Sequence, residues 1–207
     1  MSQKVEHNRT QIKSSTKTPS TRRRNQHSHQ AILKAASELL EEKGYGGVCI
    51  EAIASRAGVG KQTIYRWWSS KASVMMEAYA AQATSNIPTP DTGSVREDLY
   101  KILQQLFELL TKTSTGAAVA GLIAEAQIDP EVAEVFHERF VQSRRQATHT
   151  ILERGIARRE LRSDFNLEVA IDAIYGPVWY RLLLKHAPLD DAFARELVDL
   201  AMVGIQV

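Results

Sequence analysis

The sequence predicts an all-α protein with a small N-terminal helical head and a larger helical body. In the head, apolar residues recur at helical spacing in two short segments on either side of residues 57–60, AGVG. In the body, apolar stripes with the same period run through longer segments, including residues 99–110 and 171–183. An apolar content of 43% in 207 residues is enough to fill the core of such a fold.

Positive charge is concentrated in the head. Residues 1–71 carry thirteen Lys and Arg against five Glu, a net charge of +8, whereas the rest of the chain carries −6 and the total is +2. A basic head on an acidic body is the distribution expected when a polyanion-binding module is joined to a module that does not bind polyanions.

The cysteine content and the hydropathy limit where the protein is expected to reside and which metal sites or disulfides it can form. Cys49 is the one cysteine, which excludes an internal disulfide and a cysteine-cluster metal site. The sequence contains no apolar run approaching the ~20 residues that span a bilayer, and it begins with polar residues. We therefore expect a cytoplasmic protein without membrane association, metal or cofactor.

Residues 1–26 are polar and lack periodicity, so they are predicted to form a disordered basic tail. An alternative is a basic arm, led by Arg22, Arg23 and Arg24, that follows phosphates or enters the minor groove of DNA. The adjacent His27 and His29 form an isolated pair, which is too few ligands to indicate a metal site.

Residues 27–84 are predicted to form the head, with a first helix at about 27–43. Gly58 suits the left-handed end of the second helix, because glycine has no Cβ to clash there. The third helix begins near Gly60 and buries Ile64 together with at least one tryptophan. Two helices that meet at so tight a turn are typical of a helix-turn-helix, whose second helix enters the major groove by its N-terminal end.

The exposed side of the third helix gathers hydrogen-bond donors and cations. Lys61, Gln62 and Thr63 are the candidates for base contacts, because lysine suits guanine, glutamine suits adenine and the threonine methyl suits thymine. Arg66 lies on the same side of the helix. The pattern therefore predicts a surface that binds double-stranded DNA.

Two further side chains are candidates for phosphate contacts. Tyr65 lies about 100° around the helix from Ile64, which favours a phenol that donates to phosphate over a core aromatic residue. Lys71 follows the two serines at 69–70 and so lies in the first turn of the next helix. A cation there opposes the helix dipole, and a phosphate contact would account for it.

This segment resembles the signature of the TetR-like one-component transcriptional regulators. The family pattern I-A-x-x-A-G-V-x-x-x-T-[IL]-Y-x-x-[FW]-x-x-K is matched by Ile53-Ala54, Ala57-Gly58-Val59, Thr63-Ile64-Tyr65, Trp68 and Lys71. The resemblance implies a homodimer with an N-terminal DNA-binding domain and an all-helical C-terminal domain that binds a small effector. The sequence departs from the usual hydroxyl-bearing helix caps at Val48-Cys49 and at Gly60.

Residues 71–84 are predicted to form a helix that connects the head to the body. In the family that the chain resembles, displacement of this helix changes the separation of the two reading heads. Residues 94–207 are predicted to form the body, in which Ser94 and Glu97 indicate a capping box. Asp129-Pro130-Glu131 indicates the start of a long helix that reaches toward Arg158. The same tripeptide, residues 158–161 and Tyr175-Gly176-Pro177 resemble a common regulatory domain of the family.

Two final helices, at about 167–185 and 190–204, show apolar residues on more than one side. One side can pack on the body while the other meets a second copy of the chain. The resemblance places a homodimer interface there, built as a four-helix bundle from two helices of each subunit. The alternative is a helical pair that is simply buried within a monomer.

Aromatic residues in the body are candidates for an effector pocket, and they fit a plain core equally well. Pro177 removes a backbone donor from the penultimate helix, so we expect a kink there. This kink either opens a cavity beside the neighbouring aromatic residues or adjusts packing at the dimer seam. The candidate pocket residues are Phe107, Phe136, Phe140, Tyr175 and Trp179.

The combined pattern predicts a DNA-binding transcriptional regulator, a repressor released from a palindromic operator by a small-molecule effector. The alternative is an effector-independent architectural or partner-binding DNA protein, since a helix-turn-helix alone indicates only DNA. The long apolar helices of the body favour an effector cavity. Catalysis is not expected, because the sequence has no nucleophile elbow, phosphate loop or zinc-binding helix.

Overall fold

The computed structural model describes residues 19–83 and 89–207. Regular structure in these ranges is helical, apart from an isolated antiparallel bridge between Leu161 and Gln206, and the predicted all-α fold class is confirmed. The helices are α1 Pro19–Lys43, α2 Ile50–Ala57, α3 Lys61–Tyr65, α4 Lys71–Ala83, α5 Val95–Lys112, α6 Thr115–Ala126, α7 Pro130–Phe136, α8 Gln142–Ala157, α9 Leu167–Leu184 and α10 Asp191–Ile205, with a 3₁₀ turn at Tyr45–Gly47 and a π-helical turn at His137–Val141.

Helices α1, α2 and α3 form the head, and Ile32, Ile53 and Ile64 are fully buried in it. Helix α1 begins at Pro19, eight residues before the start that the apolar spacing predicts. Proline favours the first position of a helix, and each residue added to an existing helix gains a hydrogen bond without a new nucleation cost. The helix therefore extends beyond its buried stripe. Residues 1–18 of the predicted tail lie outside the described residues.

The turn between α2 and α3 has the predicted geometry. Gly58 adopts φ 66° and ψ 33°, and its N–H donates to the carbonyls of Ala54 and Ser55, which closes α2. At the opposite end of α2, Cys49 makes no side-chain cap hydrogen bond, as its side chain predicts. Gly60 precedes α3 in an extended conformation, also without a side-chain cap.

The predicted capping box at Ser94 and Glu97 is wrong, although α5 does begin at that point. Ser94 makes no side-chain cap hydrogen bond. Instead the N–H of Val95 donates to Glu160 Oε2 at 2.8 Å, and the N–H of Thr92 donates to Asp98 Oδ1 at 2.7 Å. A carboxylate that is distant in sequence replaces the local cap, and local spacing cannot reveal such a partner.

The helical segment after Asp129 contains a departure from the predicted continuous helix. Asp129 caps it as predicted, because its carboxylate accepts from the N–H of Glu131 at 2.9 Å. The chain then passes through the π-helical turn before α8 begins. Such turns insert an extra residue and frequently occur at functional sites. This one carries Phe140, which is fully buried and stacks on Phe136 with ring centroids 5.0 Å apart.

Helices α9 and α10 are apolar on two sides, as predicted. Ile171 and Ala194 are fully buried against the body, whereas Val169, Leu200 and Val203 are 62%, 71% and 83% exposed. Helix α9 includes Pro177 and remains helical from one end to the other. None of the helices in the described residues has the length and apolar content to cross a membrane.

We expect Gly116→Ala to destabilise the fold. An added Cβ would lie 2.1 Å from the carbonyl oxygen of Leu110, and a backbone atom cannot easily move away. Crowding of this kind costs about 1–3 kcal/mol. At Gly176 an added Cβ would meet nothing within 4 Å, so Gly176→Ala should stabilise by about 0.5–1 kcal/mol. Urea unfolding of both variants tests this, and equal midpoints would contradict it.

Candidate nucleic-acid interface

Helix α3 presents a polar surface on one side and its anchor on the other. Ile64 is fully buried, whereas Tyr65 is 54% exposed and therefore lies outside the core. The remaining predicted base-contact and cationic residues of this helix share the exposed side with Tyr65, and Thr63 is partly exposed. These residues are Lys61, Gln62 and Arg66.

A cluster behind α3 holds this helix in place. Trp68, which is buried, donates from Nε1 to Glu77 Oε2 at 2.8 Å, and His29 Nε2 lies 2.9 Å from the other oxygen of the same carboxylate. The His29 ring also packs on Trp67 and Trp68, with centroids 4.4 and 4.8 Å away. Glu77 thus ties α1, α4 and the segment after α3 together.

The amino-acid sequence alone does not indicate this supporting role of Glu77 and His29. The histidine is one of an H-x-H pair that the sequence favours neither as ligand nor as packing residue, and Glu77 lies within an otherwise apolar helical stripe. A carboxylate in such a stripe is the one signal of a buried polar partner. No group of three or more His, Cys, Asp or Glu side chains in the described part of the chain is placed to hold a metal ion.

Lys61 is held in an ion pair at the surface. Its Nζ donates to Glu51 Oε1 at 2.9 Å, and both side chains are more than half exposed. This hydrogen bond lowers the pKa of Glu51 below its ordinary value and raises that of Lys61. Both groups therefore remain charged at neutral pH, and a carboxylate lies beside a side chain that is predicted to meet DNA.

Lys71 is the first residue of α4, and its side chain contacts Tyr45 in the head. Its Nζ lies 4.1 Å from the centroid of the Tyr45 ring, a cation–π contact. Tyr45 in turn donates from its hydroxyl to Glu125 of α6, and burial raises the pKa of this phenol. Gly121 lies against the same ring, since an added Cβ would be 2.3 Å from Tyr45 Cδ1. Tyr45 therefore connects the head to the body.

Two other polar contacts link the head and its connecting helix to the body. Ser69 donates to Glu131 Oε1 at 2.7 Å, which joins the start of α4 to α7. Arg144 of α8 donates to the hydroxyl of Tyr79 on α4 at 2.6 Å. Burial raises the pKa of Tyr79, so this hydroxyl stays protonated at neutral pH.

The structure brings four of the five candidate pocket residues together. Phe136 stacks on Phe140, the rings of Phe140 and Trp179 are 5.8 Å apart, and Tyr175 lines a cleft with Trp179. Phe107 lies elsewhere, because its ring stacks on that of Phe193 between α5 and α10, 5.7 Å away. Sequence spacing predicts that these residues face inward, but not which of them share one cavity.

Comparison with known proteins agrees with this geometry. The family described as bacterial regulatory proteins, tetR family, matches residues 32–78. The family described as tetracyclin repressor-like, C-terminal domain, matches residues 89–201, which is more than half of the chain. The chain belongs to the TetR family. It is accordingly a DNA-binding transcriptional regulator and not an enzyme.

Individual relatives extend the match over most of the chain. The HTH-type transcriptional regulator YdeS of Bacillus subtilis is 43% identical over 185 residues, which cover 89% of this chain and 93% of the relative. The DNA-binding transcriptional repressor TetR of Mycobacteroides abscessus is 29% identical over 170 residues, 82% of this chain and 88% of the relative. The crystal structure of the TetR family regulator SCO0332 superposes with a TM-score of 0.73 at 31% identity, covering 87% of this chain and all of that one.

We expect Glu51→Gln to strengthen DNA binding severalfold without regard to sequence. The change removes a negative charge beside the exposed polar side of α3 and releases Lys61 from its ion pair. Both effects should favour binding, because attraction to phosphates dominates the non-specific affinity for DNA. Fluorescence anisotropy with unrelated duplexes at several salt concentrations measures the effect. The matched control is Glu108→Gln, which removes a similar exposed ion pair with Lys112 on α5. Equal affinities for the two variants would contradict the placement of Glu51 at the DNA surface.

Proposed function

We propose that this TetR-family regulator is a homodimeric repressor that binds a pseudo-palindromic operator and leaves it when a small molecule binds the body. The observation that carries the proposal is the arrangement of α3, in which a buried Ile64 fixes the helix and the polar residues of positions 61–66 face outward. A helix exposed in this way can enter the major groove by its N-terminal end.

The exposed residues of the head divide by chemistry into two groups. Lys61, Gln62 and Thr63 lie at the N-terminal end of α3 and are proposed to contact base edges. Phosphate contacts, which position the protein without reading sequence, are proposed for the other three. These are Tyr65, Arg66 and Lys71, of which Lys71 would exchange its contact with the Tyr45 ring for a phosphate oxygen.

The exposed apolar side of α9 and α10 supports a dimer through these two helices. A groove of about 380 Å³ between them is lined mainly by apolar side chains, which include the exposed Val169 and Leu200, and the exposed Val203 belongs to the same helix α10. A contiguous apolar surface of this kind usually marks a protein interface. Two copies that pair there form a four-helix bundle with two-fold symmetry, which suits half-sites about one DNA turn, or ~34 Å, apart.

Two observations support a repressor that responds to a ligand. A relative that is 29% identical over most of the chain is named as a DNA-binding transcriptional repressor. Within the body, Tyr175 and Trp179 line a cleft of about 260 Å³ that lies against Arg144, the residue bonded to α4. A ligand with different affinities for two positions of α4 would shift the population between them, and so alter the fit of two heads to one operator.

Selection of bound duplexes from a random library, with the mass of the complex recorded, tests the proposal. We expect a palindromic consensus bound by an even number of chains. Gln62→Ala should then lose preference at particular base pairs, by roughly 1–3 kcal/mol each, and keep it at the others. A uniform loss over all sequences would remove Gln62 from base reading. Strong binding without a consensus would favour an architectural DNA protein and overturn the operator assignment.

We expect Val203→Glu to convert the dimer to a monomer, because it places a carboxylate at the most exposed apolar position of α10. Ile128→Glu is the matched control, since Ile128 is 86% exposed, against 83% for Val203, and lies between α6 and α7. Analytical ultracentrifugation of both variants measures the mass. The interface would lie elsewhere if Val203→Glu stayed dimeric, or if Ile128→Glu also dissociated the protein.

A further inference from the structure

A small cleft lies between α9 and the segment where the π-helical turn passes into α8. Its volume is about 260 Å³, and Val141, Tyr175 and Trp179 form apolar walls around it. Gly176 leaves open space on the α9 side, because an added Cβ there would meet no atom within 4 Å. Pockets for drug-sized ligands run from ~300 to ~1,000 Å³, so this cleft suits a smaller molecule with a flat apolar body.

Two arginines line the cleft, and they differ in how their charge is balanced. Arg145 pairs with both Glu168 and Asp172. Arg144 has no carboxylate oxygen within 4.0 Å among the side chains that the structure describes. Its guanidinium instead donates to the Phe140 carbonyl at 3.3 Å and packs 3.9 Å from the Phe140 ring centroid. Arg144 therefore lies partly buried at an aromatic cleft whose lining carboxylate, Asp172, pairs with Arg145 and not with Arg144.

The chemistry of Arg144 narrows the class of ligand. A guanidinium offers five N–H donors in a planar fork that matches a carboxylate, and it remains charged at every physiological pH. Only some of these donors are used, by the carbonyl of Phe140 and the hydroxyl of Tyr79. Tyr175 has its hydroxyl 2.9 Å from Thr148 Oγ1 in the interior, so it supplies a ring wall in place of a free donor.

We infer that the cleft binds a small aromatic carboxylic acid, whose carboxylate pairs with Arg144 while its ring packs against Trp179 in the space over Gly176. The ligand supplies a carboxylate to Arg144, because Asp172, the acidic residue that lines the cleft, already pairs with Arg145. Its aromatic body replaces water along the apolar wall. The inference that the cleft binds an acid does not depend on DNA binding. The inference that the acid changes affinity for an operator rests on the proposed function.

The guanidinium of Arg144 also links ligand binding in the cleft to the connecting helix α4. Arg144 donates to the hydroxyl of Tyr79, which is 6% exposed and belongs to α4. A carboxylate that draws Arg144 into the cleft removes this partner, and a buried hydroxyl without a partner is unfavourable. Helix α4 would then move to rehydrate or re-pair the hydroxyl. This movement changes the position of the head to which α4 is joined.

Calorimetric titration of the full chain with benzoate, phenylacetate and 3-phenylpropionate tests the site, with the corresponding neutral amides as isosteric controls. We expect at least one acid to bind at or below ~1 mM and its amide to bind at least tenfold more weakly. Arg144→Gln should cost the acid at least tenfold. Gly176→Leu, which leaves Arg144 in place and fills the cleft, should abolish binding. Arg154→Gln, on the same helix but outside the cleft, should have no effect.

Several results would overturn the inference. These are equal affinities for acid and amide, an unchanged affinity in Arg144→Gln or Gly176→Leu, and an absence of binding by all three acids. The comparison of acid with amide uses the unaltered protein, so it stays decisive even if a variant folds poorly.

A second titration separates this site from the proposed function. The bound acid should weaken affinity for the selected operator in the unaltered protein. In Tyr79→Phe the acid should still bind but have much less effect on the operator, because the hydrogen bond that links Arg144 to α4 is already absent. Acid binding with unchanged operator affinity would overturn the coupling through Tyr79. If no operator consensus exists, the proposed function fails while the calorimetric result for the acid still stands.

Discussion

The burial of Ile64 and Trp68 is the constraint on which the exposed polar side of α3, the proposed DNA-binding surface, depends. Helix α3 has five residues, far fewer than an isolated helix needs to persist in water. Its conformation is therefore set by tertiary packing, with Ile64 fully buried and Trp68 bonded to Glu77. Because neighbouring helical positions point about 100° apart, fixing Ile64 inward directs Lys61, Gln62 and Tyr65 outward. Loss of this packing would disorganise the surface without changing any of the residues proposed to contact DNA.

The head is attached to the body through polar contacts, in contrast to the apolar packing that fixes α3 within the head. Polar contacts that join them include Tyr45 with Glu125, Ser69 with Glu131, and Tyr79 with Arg144. Individual hydrogen bonds contribute only about 0.5–1.5 kcal/mol net. Rearranging one of them is therefore within the energy that a small ligand can supply through unequal affinity for two states. The head can therefore keep its internal packing while one of these contacts with the body rearranges.

Helix α9 of the body lines both the cleft with α8 and the groove with α10. Helix α9 directs Tyr175 and Trp179 toward α8 and the cleft, and directs Val169 and Pro177 toward the groove with α10. The Gly176–Pro177 step contributes to both sides, because Gly176 lines the cleft and Pro177 lines the groove. The two interpretations of this step from sequence, a cavity or an adjustment at the dimer seam, are thus not exclusive. A ligand in the cleft and a partner on the groove would contact adjacent residues of the same helix.

The amino-acid sequence is enough to predict the helical fold class, the helix-turn-helix and most helix ends. These follow from local rules, namely the period of the apolar residues, the left-handed conformation that Gly58 tolerates and the helix cap at Asp129. The sequence also places the candidate DNA residues on one side of α3. The remaining features depend on contacts between distant parts of the chain. The cap of α5 comes from Glu160, the support of α3 from His29 and Glu77, and the link to α4 from Arg144. Likewise, Phe107 stacks on Phe193 and lies apart from the other candidate pocket residues. Each of these depends on side chains far apart in the chain, and periodicity specifies which way a residue faces but not which distant residue it meets.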